Sequence, residues 1–169
     1  MRSMLSRRIR QLAECMSIGF AGCILGAPVT GGVLAPNGLV ASADGGSLFI
    51  SCEGDNRVLR FDTRTEKVTG AVKMTTPPLG LAMSSDGKLL SVTCAGPESK
   101  VCVVDVQQMV VEKTIASGHT TVAPVFDASG RALYVCNRFD NAVGILDLLA
   151  GKEVARISVR REPVAAALC

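Results

Sequence analysis

From Pro36 onward the apolar positions come in short runs of about five to seven residues, too short for packed helices, and each is cut by Gly, Asp or Asn. The clearest set starts with VAPVFD (122–127), which turns through Ala-Ser-Gly to ALYVCN (132–137). The RFDN corner (138–141) then leads to AVGILDL (142–148), and EVARISV (153–159) follows after Ala-Gly-Lys. Four strands joined by short turns are predicted. Upstream, Asp44-Gly45 and Asp86-Gly87 stand where the Ser-Gly turn stands here. Asp-Gly between apolar runs signals a tight hairpin, because such turns need residues that accept positive φ. Leu133, Tyr134, Val135 and Cys136 are apolar on both faces of their strand, which predicts a sheet covered on both sides.

The pattern repeats. Asp62, Asp105 and Asp147 are spaced 43 and 42, as are Val58, Val101 and Val143, and Val72, Ile115 and Ile157. Cys52, Cys94 and Cys136 are spaced 42 and 42, which reads as a further column. Pro36, Pro78, Thr121 and Pro163 open successive units. A period of about 40 to 45 residues built from short strands indicates one four-stranded propeller blade per unit. The expected fold is all-β: a β-propeller segment of three antiparallel blades at 36–77, 78–120 and 121–162, with 163–169 as the first strand of a fourth. Propeller rings close at four to eight blades, so the reading is a piece of a longer propeller, or chains that associate to close a ring.

Residues 134–137, YVCN, followed by a Val-x-x-Asp run at the end of the next strand, resemble the YVTN-type β-propeller repeat, with Cys in place of Thr. FISC (49–52) and SVTC (91–94) keep the frame and lose the motif. The resemblance implies an exported bacterial or archaeal propeller that binds or displays. Relatives by fold include lactonases, amine dehydrogenase heavy subunits and the haem-binding propeller of a nitrite reductase.

Charge changes the picture at one end of the chain. The net +3 comes from Arg2, Arg7, Arg8 and Arg10 against Glu14, while from Pro36 onward 14 basic residues balance 14 acidic ones. No basic stripe for nucleic acid remains. The basic start and the apolar CMSIGFAGCILGAPV (15–29) read as an export leader over residues 1–35, short for a membrane span. The expected location is the periplasm, the cell surface or the medium, with no transmembrane span. FAGC (20–23) partly matches a lipobox, which would lipidate Cys23, but Phe20 departs from the usual Leu.

Candidate chemistry is sparse. No C-x-x-C occurs among the 7 Cys, so zinc ribbons and attached haem lack their spacing. Cys52, Cys94 and Cys136 are expected as small buried hydrophobes, since facing sheets lie ~10 Å apart, beyond disulfide reach. The three column aspartates suit turn capping. His119 is the single histidine and cannot build a His-rich metal site. Neither a metal nor a cofactor is expected, and no catalytic residue stands out. In a propeller the corners between second and third strands and the links between blades emerge on one face. That face collects the ligand candidates His119, Asn137, Arg138, Asp140, Arg160 and Arg161. The functional expectation is a non-enzymatic binding or scaffold module of the envelope, with an unknown protein or small molecule as partner. The alternative is part of a catalytic or electron-transfer ring of the lactonase, amine dehydrogenase or haem-binding kind.

Overall fold

The computed structural model describes residues 34–168, and the expected leader up to residue 33, with its Cys23, lies outside them. Three four-stranded antiparallel sheets follow one another along the chain. The first contains β1 (Pro36–Ala41), β2 (Ser47–Cys52), β3 (Arg57–Asp62) and β4 (Lys67–Lys73). The second contains β5 (Pro78–Met83), β6 (Leu89–Cys94), β7 (Lys100–Asp105) and β8 (Val110–Ala116). The third contains β9 (Thr121–Phe126), β10 (Ala132–Asn137), β11 (Ala142–Asp147) and β12 (Lys152–Ser158). Within each sheet the strands pair in chain order, and the first strands β1, β5 and β9 neighbour one another. This is the β-propeller arrangement, with three blades on a shared inner edge.

The strand register corrects one column. Cys52 pairs with Arg57 and Cys94 with Lys100, whereas it is Asn137 that pairs with Ala142, at the matching point of the third blade. Cys136 pairs with Val143 and so holds the position of Ser51 and Thr93, on the opposite face from Cys52 and Cys94. The cause is a longer corner in the second blade, Ala95–Ser99, against the four-residue corners Glu53–Asn56 and Arg138–Asn141. A one-residue offset reverses the face of every side chain in a strand.

The blades meet through apolar faces. Phe49, Val58, Val72 and Met74 of the first pack on Leu90, Val92, Cys94, Cys102 and Val104 of the second. Val101, Val103 and Ile115 of the second pack on Leu133, Val135, Leu146 and Leu148 of the third. Each such side chain, fully buried, contributes roughly 1.5–3 kcal/mol. A cation reinforces each joint: Arg60 Nη1 donates to the Val106 carbonyl at 3.0 Å, and Lys113 Nζ donates to the Leu148 carbonyl.

Turn chemistry follows expectation in part. Asp62 Oδ1 accepts from the Arg64 and Thr65 amides, Asp105 from Gln108 and Asp147 from Ala150, so the three aspartates close the turns between third and fourth strands. The Asp-Gly hairpins are five-residue loops rather than tight two-residue turns, with Gly45, Gly87 and Gly130 alone near φ +70. Pro163–Leu168 carries no strand pairing. Each inner strand takes its ladder from the second strand of its own blade, and the described residues hold no such partner for it.

Candidate functional site

The corner of the third blade, Arg138–Asp140, is a single 3-10 turn ended by Asn141 in the left-handed region at φ 52. Left-handed backbone suits Asn better than most residues, and Asn56 closes the first blade's corner in the same way at φ 50. The turn lies against the link between the second and third blades. The Arg138 amide donates to the Thr120 carbonyl, the Phe139 amide to the His119 carbonyl, and the His119 amide to Asp140 Oδ2 at 2.9 Å.

Beneath the corner sits a buried polar knot. Asn137 is 0% exposed, and its Oδ1 accepts from Thr121 Oγ1 at 2.7 Å and Ser117 Oγ at 3.1 Å. Its Nδ2 finds no partner. Ser99 Oγ accepts the Thr121 amide at 2.9 Å, binding the second blade's corner into the same knot. Gly118 is required here, since a Cβ would lie 2.2 Å from Asp140 Oδ2 and 2.6 Å from Asn137 Cγ.

Above the knot an aromatic ring is held in the open. Phe139 is 51% exposed, with the Arg138 guanidinium 5.1 Å from its centroid and the His119 ring edge-on at 5.1 Å. Arg138 is fixed by Glu162 at 3.0 Å, and His119 Nδ1 lies 2.9 Å from Thr120 Oγ1. Arg156 bridges Asp140 at 3.3 Å and Glu153 at 2.6 Å. The Glu153 hydrogen bond, aided by both carboxylate charges, raises the Arg156 pKa above its ordinary value.

Of the six sequence candidates, His119, Asn137, Arg138 and Asp140 are thus brought into one cluster. Arg160 and Arg161 are exposed and form no ion pair among the described residues. Sequence reasoning missed Phe139, the ring on which the cluster centres, and Glu153 and Arg156 of the outermost strand. Phe139 left a signal, an aromatic in a polar corner where the first blade has Gly54. The outer-strand pair left none, because charges alternate along any solvated strand.

Two further features bear on chemistry. Among the described residues no three His, Cys, Asp or Glu side chains are grouped as metal ligands. An open, mainly apolar cavity of about 500 Å³ lies at the other end of the inner strands, lined by Val40, Leu81, Met83, Val125, Phe126 and Leu168. Asp127 also lines it, its carboxylate taken up by the Ser129 hydroxyl and the Ala132 amide of the hairpin turn.

Comparison with solved structures returns propellers. The chain is similar to Kuenenia stuttgartiensis hydrazine synthase, with TM-score 0.73 and 30% identity, over 85% of this chain and 42% of that one. It is also similar to U3-55K (TM-score 0.67, 17% identity, 76% of this chain and 41% of that one). The WD40 repeats of RRP9 match alike, with TM-score 0.67 and 18% identity, over 76% of this chain and 40% of that one. The chain is a β-propeller module. It spans about two fifths of the structures it matches. No family model and no curated protein matches it.

Proposed function

We propose that this module is a binding and scaffold propeller of the exported YVTN-repeat type, which recognises a partner through the corner face of its third blade. The observation that carries the reading is Phe139. A half-exposed aromatic ring is costly to keep in water, yet here Arg138, His119, Glu162 and Asp140 hold it in place. A rigid aromatic beside an arginine, set in a polar rim, is the composition of an interface hot spot. YVCN supports the repeat type, because its last residue, Asn137, anchors the corner from below. Export rests on the leader.

Selection of a displayed peptide library on the full chain, followed by calorimetry on the selected peptides, tests the site. Phe139→Ala or Arg138→Ala should weaken binding at least about tenfold, the loss of roughly 1.4 kcal/mol, with an unchanged circular dichroism spectrum. Peptides indifferent to both substitutions would remove the site.

One observation favours a second reading, a place within an enzyme subunit. The 30% identity to a hydrazine synthase chain extends over 85% of this one. The described residues offer a surface for assembly rather than reacting groups, so in this reading they hold a catalytic partner.

A further inference from the structure

The hairpin of β6 and β7 holds two thiols together, a pairing that neither of the other described blades repeats. Val92 pairs with Cys102 and Cys94 with Lys100, so Cys94 and Cys102 stand diagonally across the two strands on one face. They are 2% and 4% exposed, in one apolar cluster with Val72 and Met74 of the first blade. Both are free thiols in this structure. The matching diagonal carries Cys52 and Leu59 in the first blade, and Asn137 and Gly144 in the third.

Diagonal neighbours in a sheet lie ~7–8 Å apart and closer at Cβ, at the edge of what a disulfide spans. Strand twist shortens one of the two diagonals, and the other blades show that it is this one. A Cβ on Gly144 would meet Asn137 Nδ2 at 3.0 Å, so a side chain at the Cys94 position reaches over the Cys102 position. Cys52 packs with Leu59 in the same way. In the second blade that reach ends in a hydrogen bond between the two thiols. Thr114 Oγ1 lies 3.7 Å from Cys102 Sγ. The Cys94 thiol, then the Thr114 hydroxyl and the Lys100 charge, hold Cys102 below the ordinary thiol range, and the same bond together with burial raises Cys94.

We propose that Cys94 and Cys102 form a disulfide within this hairpin, closed before the first blade packs over it. The setting rests on the export reading, since disulfides persist in oxidising compartments, whereas the capacity to form the bond does not. A small disulfide RSSR is the oxidant. The Cys102 thiolate attacks one of its sulfurs and the first RS⁻ leaves; Cys94 then loses its proton, attacks Cys102 Sγ and displaces the second RS⁻. The two cysteine protons end on the two released thiols, so one disulfide is reduced as one is made. A hairpin is local and pairs early, while its thiols are still open to solvent. Afterwards Phe49, Val58 and Val72 of the first blade cover that face and shield the bond from reductants. The bond braces the long corner between the strands. From that corner Ser99 Oγ accepts the Thr121 amide and the Gly96 carbonyl accepts the Thr120 amide at 2.8 Å, which ties it to the knot beneath Phe139.

Refolding the reduced full chain in oxidised and reduced glutathione, then blocking the remaining thiols and digesting with trypsin, reads the bond directly. Cleavage at Lys88, Lys100 and Lys113 puts the two cysteines on separate peptides, 89–100 and 101–113. The expected product is one species that holds both peptides, two hydrogens lighter than their sum, and separates on reduction. Native protein kept in the same buffer just below its urea midpoint serves if refolding from full denaturation fails. The oxidised chain should also show a higher urea midpoint than the reduced one, and Cys102→Val should abolish the difference and leave Cys94 blocked. Separate, blocked peptides from the unsubstituted chain would overturn the proposal. So would Cys94 joined to any other cysteine. Because the oxidant is supplied, these outcomes do not depend on export; a bond made in vitro by a chain that stays in the cytoplasmic fraction of its cells would sustain the pair and remove the export reading alone.

Discussion

Asn137 is the residue at which the third blade departs from the other two. Cys52 and Cys94 fill the matching position as small buried thiols, and Asn137 instead brings a carbonyl that accepts from two hydroxyls. Asn137→Leu removes that acceptor and leaves Thr121 and Ser117 facing a hydrocarbon. The expected cost is about 1–3 kcal/mol, read as a lower urea midpoint with unchanged slope, and an unchanged midpoint would refute the knot's structural role. The YVCN motif made the Asn legible, but the neighbouring Cys136 produced a false column, because one extra residue in a distant corner cannot be seen in spacing alone. The thiol at the true position titrates accordingly. Burial, and then the Asp55 carboxylate, push Cys52 up to about 11 from the ordinary 9.0. A thiol raised in the folded state lends stability that is complete below pH 9 and lost as pH rises towards 11, on the order of 2–3 kcal/mol in all. The urea midpoint should fall over that window, and Cys52→Ala should flatten the fall. Parallel curves for the two proteins would assign the loss to other groups.

The inner hairpin shows, at the scale of the element, how one turn is written in two ways. In the first two blades Ser42 and Ser84 donate to Asp44 and Asp86, and the Ser oxygens accept the amides of Ser47 and Leu89. In the third the residues exchange places. Asp127 comes first, accepts from Ser129 and takes the Ala132 amide at 2.9 Å. The hydroxyl–carboxylate bond persists in either order, and in all three turns it lowers the carboxyl pKa, first through the Ser hydroxyl and then through a backbone amide. The double exchange Asp127→Ser with Ser129→Asp should therefore keep the melting temperature, while either single substitution lowers it. A double exchange as damaging as the singles would show that order matters. Such turns were legible as turns, since Gly and Asp between apolar runs have few other uses. Their length was not, because an Asp that bonds its neighbouring amides supports a five-residue loop as readily as a tight one.

At the scale of the whole molecule, stability in an array of repeats comes from each unit and from its joints with neighbours. The periodic apolar columns displayed that architecture before any coordinates, because a sheet buried on both faces has to be apolar on both. They could not tell an internal joint from the end of the described array, since Val72, Ile115 and Ile157 look equivalent in the sequence and differ from 1% to 52% in exposure. The candidate site was half legible for a related reason. Corners and links announce their face by topology, whereas the grip of Arg138 and His119 on Phe139 depends on angles that no pattern encodes. Joints that carry stability also set the order of opening. The second blade is covered on both faces, with Leu90, Val92, Val101 and Val104 fully buried, while among the described residues the first and third each have a single joint. Hydrogen exchange should therefore be slowest in β6 and β7 and fastest in the outer strands β4 and β12. Local opening follows the contacts that must break, so the middle blade exchanges only when both joints fail. Leu90→Ala, which opens the first joint at a cost of about 2–5 kcal/mol, should bring β2 and β3 to early exchange and leave β10 and β11 tied to the second blade. Equal loss of protection in the first and third blades would mean that the three sheets unfold as one unit rather than as joined repeats.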